Sequence, residues 1–211
     1  MNAVIFCGIL ILSYLIGSIN SAIIVGKLFG GDDIRSHGSG NAGATNALRT
    51  YGVTAAVFVT IGDCLKSAIC CIVAIIASKL LLLEGDFSEI ALCCAGVGVV
   101  LGHNFPLYFG FKGGKGILVS VTALIFADWK IGVAVLVLSV LLIVITKYVS
   151  LGSISGAVMF IIAAFVFKIH DRWYVVLALI LGLLAIIRHN ANIKRLLNGT
   201  ESKIGSGKKK N

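Results

Sequence analysis

Apolar residues in this chain come in long unbroken runs, not in the alternating or one-faced patterns of a soluble fold. Seven runs stand out: Val4 to Gly26, Val53 to Ala77, Ile90 to Leu101, Ile117 to Ala127, Ile131 to Ile145, Ile154 to Phe167 and Tyr174 to Ile187. A bilayer core takes about 20 mostly apolar residues per helix. The pattern therefore predicts an all-α fold, a polytopic membrane helix bundle of about seven transmembrane helices, with five as the competing count. The short third and fourth runs either begin inside neighbouring loops or cross only part of the way. No basic segment precedes Val4 and no small-residue cleavage site follows, so the first run reads as a retained helix.

Composition supports the membrane reading. Hydrophobic residues make up 58% and charged residues 13% of the 211, against about 25% charged in an ordinary soluble domain. Pro106 is the single proline, while the 25 glycines suit close helix packing in lipid. Cys7, Cys64, Cys70, Cys71, Cys93 and Cys94 all lie in apolar runs and read as small buried hydrophobes, with no disulfide or zinc spacing. No metal or cofactor is expected. Residues 1–205 read as one transmembrane domain, and 206–211 as a disordered basic tail attracted to anionic lipid.

The formal net charge of +9 would suggest nucleic acid in a soluble protein. Here the charges sit between apolar runs, so they report topology and headgroup or phosphate contact, and no nucleic-acid partner is expected. The loops after runs one, three, five and seven collect 13 of the 18 basic residues, among them Lys27, Arg35, Arg49, Lys112, Lys115, Lys147 and the tail lysines. Those loops are expected in the cytoplasm, which puts the N-terminus outside and the C-terminus inside. Trp129 and Trp173 then fall in outer turns, where interfacial aromatics belong.

Three polar segments exceed what an anchor needs. In Asp33 to Gly52, Gly38 and Gly40 permit a tight turn, and Ser39 and Asn41 can cap the helix that follows. Asn46 and Arg49, three apart, share a face of that helix, whose free N–H groups favour an anion. In Gly102 to Gly116, Gly113, Gly114 and Gly116 surround Lys115, with Lys112 just before. Exposed backbone donors and lysines make a phosphate cradle, without the spacing of a P-loop; an interfacial loop with snorkelling lysines is an equal alternative. In Arg188 to Gly205, His189 and Asn192 share a helix face, and Glu201 could orient a nearby base. Asp63 and Lys66, three apart inside the second run, can pair; a structural ion pair and a functional role fit equally well. The three segments all fall on the expected cytoplasmic side, which suggests one composite site.

These segments resemble the motifs of the bacterial acyl-phosphate-dependent glycerol-3-phosphate acyltransferases, the PlsY-type family. The matching pieces are GSIN at Gly17, HGSGNAGATNALRT at His37, GDCLKS at Gly62, GHNFPLYFGFKGGKG at Gly102 and RHNANIKRLLNGTESKIG at Arg188, in the family's order over nearly the whole chain. Asn20 stands where the family usually has proline, Ser67 where it has glycine, and Ser202 where it has proline. The resemblance implies a seven-helix bundle in the bacterial inner membrane with its site on the cytoplasmic side. It implies an acyl phosphate donor, a glycerol 3-phosphate acceptor, and 1-acyl-glycerol 3-phosphate and phosphate as products, without acyl-CoA, acyl carrier protein or metal.

An acyl phosphate is already activated, so the protein must align two anions and offset their repulsion. Ser39, Arg49 and Lys115 are the expected phosphate and oxyanion contacts, with Lys112 in reserve, and His189 and Asn192 orient the hydroxyl or the phosphate. Gly38, Gly40, Asn41, Asn46, Gly113, Gly114, Gly116, Asp63, Lys66, Arg188 and Glu201 complete the expected substrate-binding set. The general base is either His189 or the donor's own phosphate oxygen. Ser39 as a covalent nucleophile is a weaker fit, since no base is evident beside it. The rival class is an organic-anion transporter, which would use Asp63 and Lys66 at mid-membrane; the chain lacks the internal repeat that class favours.

Overall fold

The computed structural model describes residues 2–205, which are all-helical apart from turns and loops. In chain order the helices are α1 (Asn2–Gly17), α2 (Ser21–Gly30), α3 (Ala44–Tyr51), α4 (Val53–Leu80), α5 (Asp86–Asn104), α6 (Ile117–Ala127), α7 (Trp129–Thr146), α8 (Val149–Phe167), α9 (Arg172–Arg188) and α10 (Asn190–Leu197). The tail at 206–211, expected to be disordered, lies outside the described residues.

Every expected apolar run is helical except for a break at residues 18–20 of the first. Five stretches are long and apolar enough to cross a bilayer: Asn2–Gly30, Val53–Leu80, Asp86–Phe109, Trp129–Thr146 and Val149–Phe167. A sixth results if α9 and α10, bent by 58° at His189, count as one span. The remaining apolar helix, α6, has 11 residues, about 16 Å at 1.5 Å per residue, roughly half of a hydrocarbon core.

Two boundaries differ from the pattern. The run Val4 to Gly26 is not one helix: it breaks after Gly17, where Asn20 turns extended (φ −91°, ψ 105°) and its Oδ1 accepts the Ile23 N–H at 3.1 Å. An asparagine N-cap satisfies an N–H that a fresh helix start leaves unpaired. It makes the break without the proline usual in the family resembled. The third run starts at Asp86, before its first apolar residue. Asp86 and Glu89 are polar, but carboxylates in a first turn offset the positive end of the helix dipole.

Glycine sets the closest packing. Gly98 and Gly102 of α5 lie one turn apart and face α1, where a Cβ on Gly102 would strike the backbone at Tyr14, Gly17 and Ser18. Gly17 in return abuts the Val99 backbone. Lipid offers no hydrophobic drive for helix association, so backbone-to-backbone dispersion at such small-residue stripes holds the pair. Around it, Val99, Val100, Val119, Ala123, Leu124, Leu177 and Leu181 form the buried core. Large apolar side chains such as Val57, Ile76, Leu141 and Val166 point outward, as lipid contact requires. Replacing Gly102 by Ala should overpack this contact and cost about 2 kcal/mol, read as a lower thermal midpoint in detergent. Gly8→Ala, with no atom within 4 Å of the added methyl, should leave the midpoint unchanged.

Candidate functional site

A single cavity of about 1130 Å³ takes in all three polar segments. In the first, Gly38 (φ +56°) and Gly40 (φ +70°) adopt the left-handed backbone that the turn needs. Asn46 braces that turn from inside: its Oδ1 accepts the Ser39 N–H at 2.9 Å, and its Nδ2 donates to the Ile34 and His37 carbonyls at 3.1 and 3.0 Å. The amide is thus committed to the loop's own backbone. Neither Ser39 nor Asn41 caps the following helix. The N-cap of α3 is Gly43, which has no side chain to offer, and Gly43, Ala44 and Thr45 line the cavity. The uncapped helix start therefore presents its positive end to the cavity, where Ser39, Gly40, Asn41 and Arg49 also lie.

The second segment is a loop clamped from three sides. From below, the Gly113 and Gly114 N–H groups donate to the Asn104 and His103 carbonyls at 3.2 and 3.1 Å. From the first loop, Arg35 Nη1 donates to the Phe109 and Lys112 carbonyls at 2.7 and 2.8 Å, while Asp33 grips the same guanidinium at 2.6 Å. From α9, Arg188 donates to the Gly114 carbonyl through Nη2 at 2.9 Å and Nε at 3.2 Å, with its guanidinium 5.2 Å from the Phe105 ring centre. Arg188 lines the cavity, yet its donors hold loop carbonyls. Side chains at Gly113 or Gly114 would strike the His103 and Ala42 backbone, so only glycine fits. Lys112, Gly113, Lys115 and Gly116 face the cavity, whereas Gly38 and Gly114 do not line it.

The third segment is a polar chain. Lys115 Nζ donates to Asn192 Oδ1; Asn192 Nδ2 donates to Glu201 Oε1 at 3.0 Å; Arg195 Nε donates to Glu201 Oε2 at 2.8 Å. Glu201 thus orients Asn192 and Arg195, and not His189. Burial works to raise the Glu201 carboxyl, but the Arg195 and Asn192 hydrogen bonds outweigh it and hold it below the usual range. Burial, then the charges of Arg195, Arg188 and Arg49, push Lys115 down to about 8, against the opposing pull of Glu201. His189, just past α9, lies with Nδ1 2.8 Å from the Ala185 carbonyl, so Nδ1 carries the hydrogen and Nε2 is left to accept. Burial and the Lys115 charge lower it to about 4. Arg49 Nη2 donates to the Ser202 carbonyl at 3.2 Å, tying the first segment to the third.

Asp63 and Lys66 do pair, at 3.0 Å, with Asp63 on the cavity wall and Lys66 behind it. Sequence reasoning missed Arg35, His103 and Arg195 as site residues. Arg35 follows Asp33 by two, and Arg195 precedes Glu201 by six, but such pairs are common on any polar loop. His103 in the Gly-His-Asn stretch carries no local signal of its partners.

Away from the charged end the cavity turns apolar. Val121 and Leu124 of α6, Leu136, Val140 and Ile143 of α7, Ala157 and Phe160 of α8 and Leu181 of α9 line it. An anionic group at the cationic end with a hydrocarbon chain in the apolar limb is the shape this wall accommodates. Removing the Arg35 clamp should loosen the loop: in Arg35→Ala, amide hydrogen exchange across residues 109–114 should speed up by about tenfold or more, for two lost charge-assisted hydrogen bonds, as read by mass spectrometry in detergent.

Comparison with known proteins agrees with this geometry. The sequence profile of the family described as glycerol-3-phosphate acyltransferase matches residues 7–199. Glycerol-3-phosphate acyltransferase of Thermoanaerobacter sp. (strain X514) is 45% identical over 195 residues, covering 92% of this chain and 93% of the relative. The enzyme of that name from Bacillus subtilis (strain 168) is 42% identical over 197 residues, covering 93% and 96%. The crystal structure of PlsY (YgiH), an integral membrane glycerol 3-phosphate acyltransferase, superposes in its glycerol 3-phosphate form with a TM-score of 0.83 at 33% identity, covering 95% of this chain and 96% of that one. Its lysophosphatidic acid form gives 0.80 at 32%. A polytopic helix bundle with a cationic, glycine-clamped cavity and these relatives across nearly its full length belongs to the glycerol-3-phosphate acyltransferase family.

Proposed function

We propose that the chain moves a fatty acyl group from acyl phosphate to the sn-1 hydroxyl of glycerol 3-phosphate, releasing 1-acyl-glycerol 3-phosphate and inorganic phosphate. The observation that carries the reading is the two-part cavity, with Arg49, Lys112, Lys115 and Arg195 at one end and apolar walls at the other. Two anionic substrates need that concentration of positive charge, and an acyl chain needs the apolar limb. The related structure's glycerol 3-phosphate and lysophosphatidic acid forms supply an acceptor and a product of matching chemistry. The concentration of basic residues in these loops supports a site at the cytoplasmic face of a bacterial inner membrane, with the N-terminus outside. On this reading residues 1–205 form one domain, and the lysines of the 206–211 tail supply charge that favours anionic lipid.

The acceptor hydroxyl oxygen attacks the acyl carbonyl carbon, the carbon–oxygen bond to phosphate breaks, and the hydroxyl proton ends on the released phosphate. A histidine lowered to about 4 is a weak base. A phosphate oxygen, with a second pKa of about 6, takes the proton more readily. His189 Nε2 therefore positions the acceptor by taking a hydrogen bond from the second, non-reacting hydroxyl of glycerol 3-phosphate, which leaves the attacking hydroxyl's proton to the phosphate, and Asn192 holds Lys115 against the developing negative charge. Ser39, at the mouth beside the uncapped start of α3, contributes a phosphate contact.

Purified protein given palmitoyl phosphate and glycerol 3-phosphate should release phosphate only when both are present. Lys115→Ala, Arg49→Ala and His189→Ala should each cut kcat/KM by about a hundredfold or more. Release independent of the acceptor, or full activity in all three variants, would refute the assignment. The Lys115 charge also sets a pH limit. Its ammonium is present below about 8 and lost above, so kcat/KM should fall roughly tenfold per pH unit on the alkaline side. Lys115→Arg keeps the charge at all these pH values and should remove that limb of the profile.

A further inference from the structure

Three ionisable side chains meet inside the bundle, behind the cations of the mouth. Lys66 Nζ lies 3.0 Å from Asp63 Oδ1, 2.9 Å from His103 Nδ1 and 3.0 Å from the Ile19 carbonyl oxygen. None of the three side chains is more than 6% exposed. An ammonium has three hydrogens and no lone pair, and three acceptors surround it. His103 Nδ1 must then be an acceptor, which leaves the ring hydrogen on Nε2. Asp63 Oδ1 is farther from Nδ1, at 3.4 Å, and the ammonium is the nearer partner of both.

The opposite edge of the ring faces the site. His103 lines the cavity. Its Nε2 abuts Gly114, where a methyl group would strike both Nε2 and the Ala42 carbonyl oxygen. Nε2 thus lies at the seam where the first polar loop meets the second, and among the described residues nothing accepts its hydrogen. A neutral N–H at this spot binds an anionic oxygen without adding a further buried charge beside Lys115.

We propose that Asp63 and Lys66 are positioning residues that lock His103 as a neutral donor, and that its Nε2–H holds a phosphate oxygen of a substrate at this seam. The inference rests on the acyl-transfer reading above. The phosphate belongs either to glycerol 3-phosphate or to the acyl phosphate, and separate Michaelis constants distinguish the two.

The test uses the full chain in detergent. His103→Gln keeps an N–H donor near the Nε2 position and should recover most of the KM change seen in His103→Leu. His103→Leu removes the donor and should raise one KM by about tenfold or more, with a smaller change in kcat. Asp63→Asn combined with Lys66→Met removes both charges together, so no lone charge is left in the bundle; it should raise the same KM. Nuclear magnetic resonance of ¹⁵N-histidine-labelled protein, with His103→Gln for assignment, should show the Nε2–H tautomer in the parent. That signal should move when glycerol 3-phosphate or palmitoyl phosphate is added, and in the paired variant the two tautomers should mix. An Nδ1–H tautomer in the parent overturns the proposal, as does a His103→Leu protein with both KM values unchanged. If His103→Leu fails to fold, the parent spectrum still decides: an Nε2–H signal that moves with neither substrate overturns the proposal. A parent protein that shows the Nε2–H signal responding to glycerol 3-phosphate but turns over no palmitoyl phosphate would sink the donor assignment and leave this inference standing.

Discussion

A membrane span that stops short and starts again leaves backbone groups without partners where no water can reach them, and one lysine meets that demand here. The Lys66 ammonium takes up the Ile19 carbonyl at the break between α1 and α2. Unsatisfied backbone in hydrocarbon costs several kcal/mol, and a lone buried ammonium costs more. Asp63 offsets the ammonium's charge, and His103 accepts its remaining hydrogen. The break, the charge pair and the end of α5 therefore depend on one another. That end of α5 supplies the carbonyls on which the Gly113–Gly114 loop rests. Through it, a mid-bundle ion cluster supports the floor of the cavity.

Above that floor, arginines hold backbone carbonyls. Arg35 and Arg188 use their rigid, multi-donor guanidinium groups to hold loop carbonyls in place. Arg49 and Lys115 also line the cavity, Arg49 with one donor on the Ser202 carbonyl and Lys115 on the Asn192 side chain. Glycine at 113 and 114 permits the clamp, since the loop can approach α5 and α9 closely only without side chains. The short α6 follows from the same geometry. Its first residue comes directly after Gly116 (φ +76°), which packs against Asn104 and Val100 of α5, so the helix starts where the clamped loop ends.

The apolar runs were legible because hydrophobicity along the chain is the physical cause of a span. The limits of α6 fall at Ile117 and Ala127, as the pattern has them, because a left-handed glycine precedes it and Asp128 follows. The break at Ser18–Asn20 was not legible as a break. A capping asparagine inside an apolar run is a weak local signal, and the carbonyl it frees is met by a lysine 47 positions away. Asp63 and Lys66 could be paired from their spacing. Their third partner could not, since His103 lies 37 positions from Lys66 and meets it only when α4 packs on α5. The gathering of Ser39, Arg49, Lys115, His189 and Asn192 around one cavity followed from charge placement and motif content. Which carbonyls Arg35, Arg49 and Arg188 hold did not, because that depends on which way each guanidinium turns.

The polar chain from Lys115 through Asn192 to Glu201 has a consequence for how the protein comes to life during synthesis. Ribosomes release a chain from its N-terminal end. The first two polar segments are made before α9 and α10, whose Arg188 and Asn192 hold Gly114 and Lys115. Lys115 gains its oriented partner only when residue 201 has emerged and folded back. Ile204 then binds the Lys147 carbonyl at 2.8 Å, which fastens that return. Since synthesis runs from the N-terminus, the hydrogen-bonded chain from Lys115 to Glu201 can close only once α9 and α10 have joined the bundle.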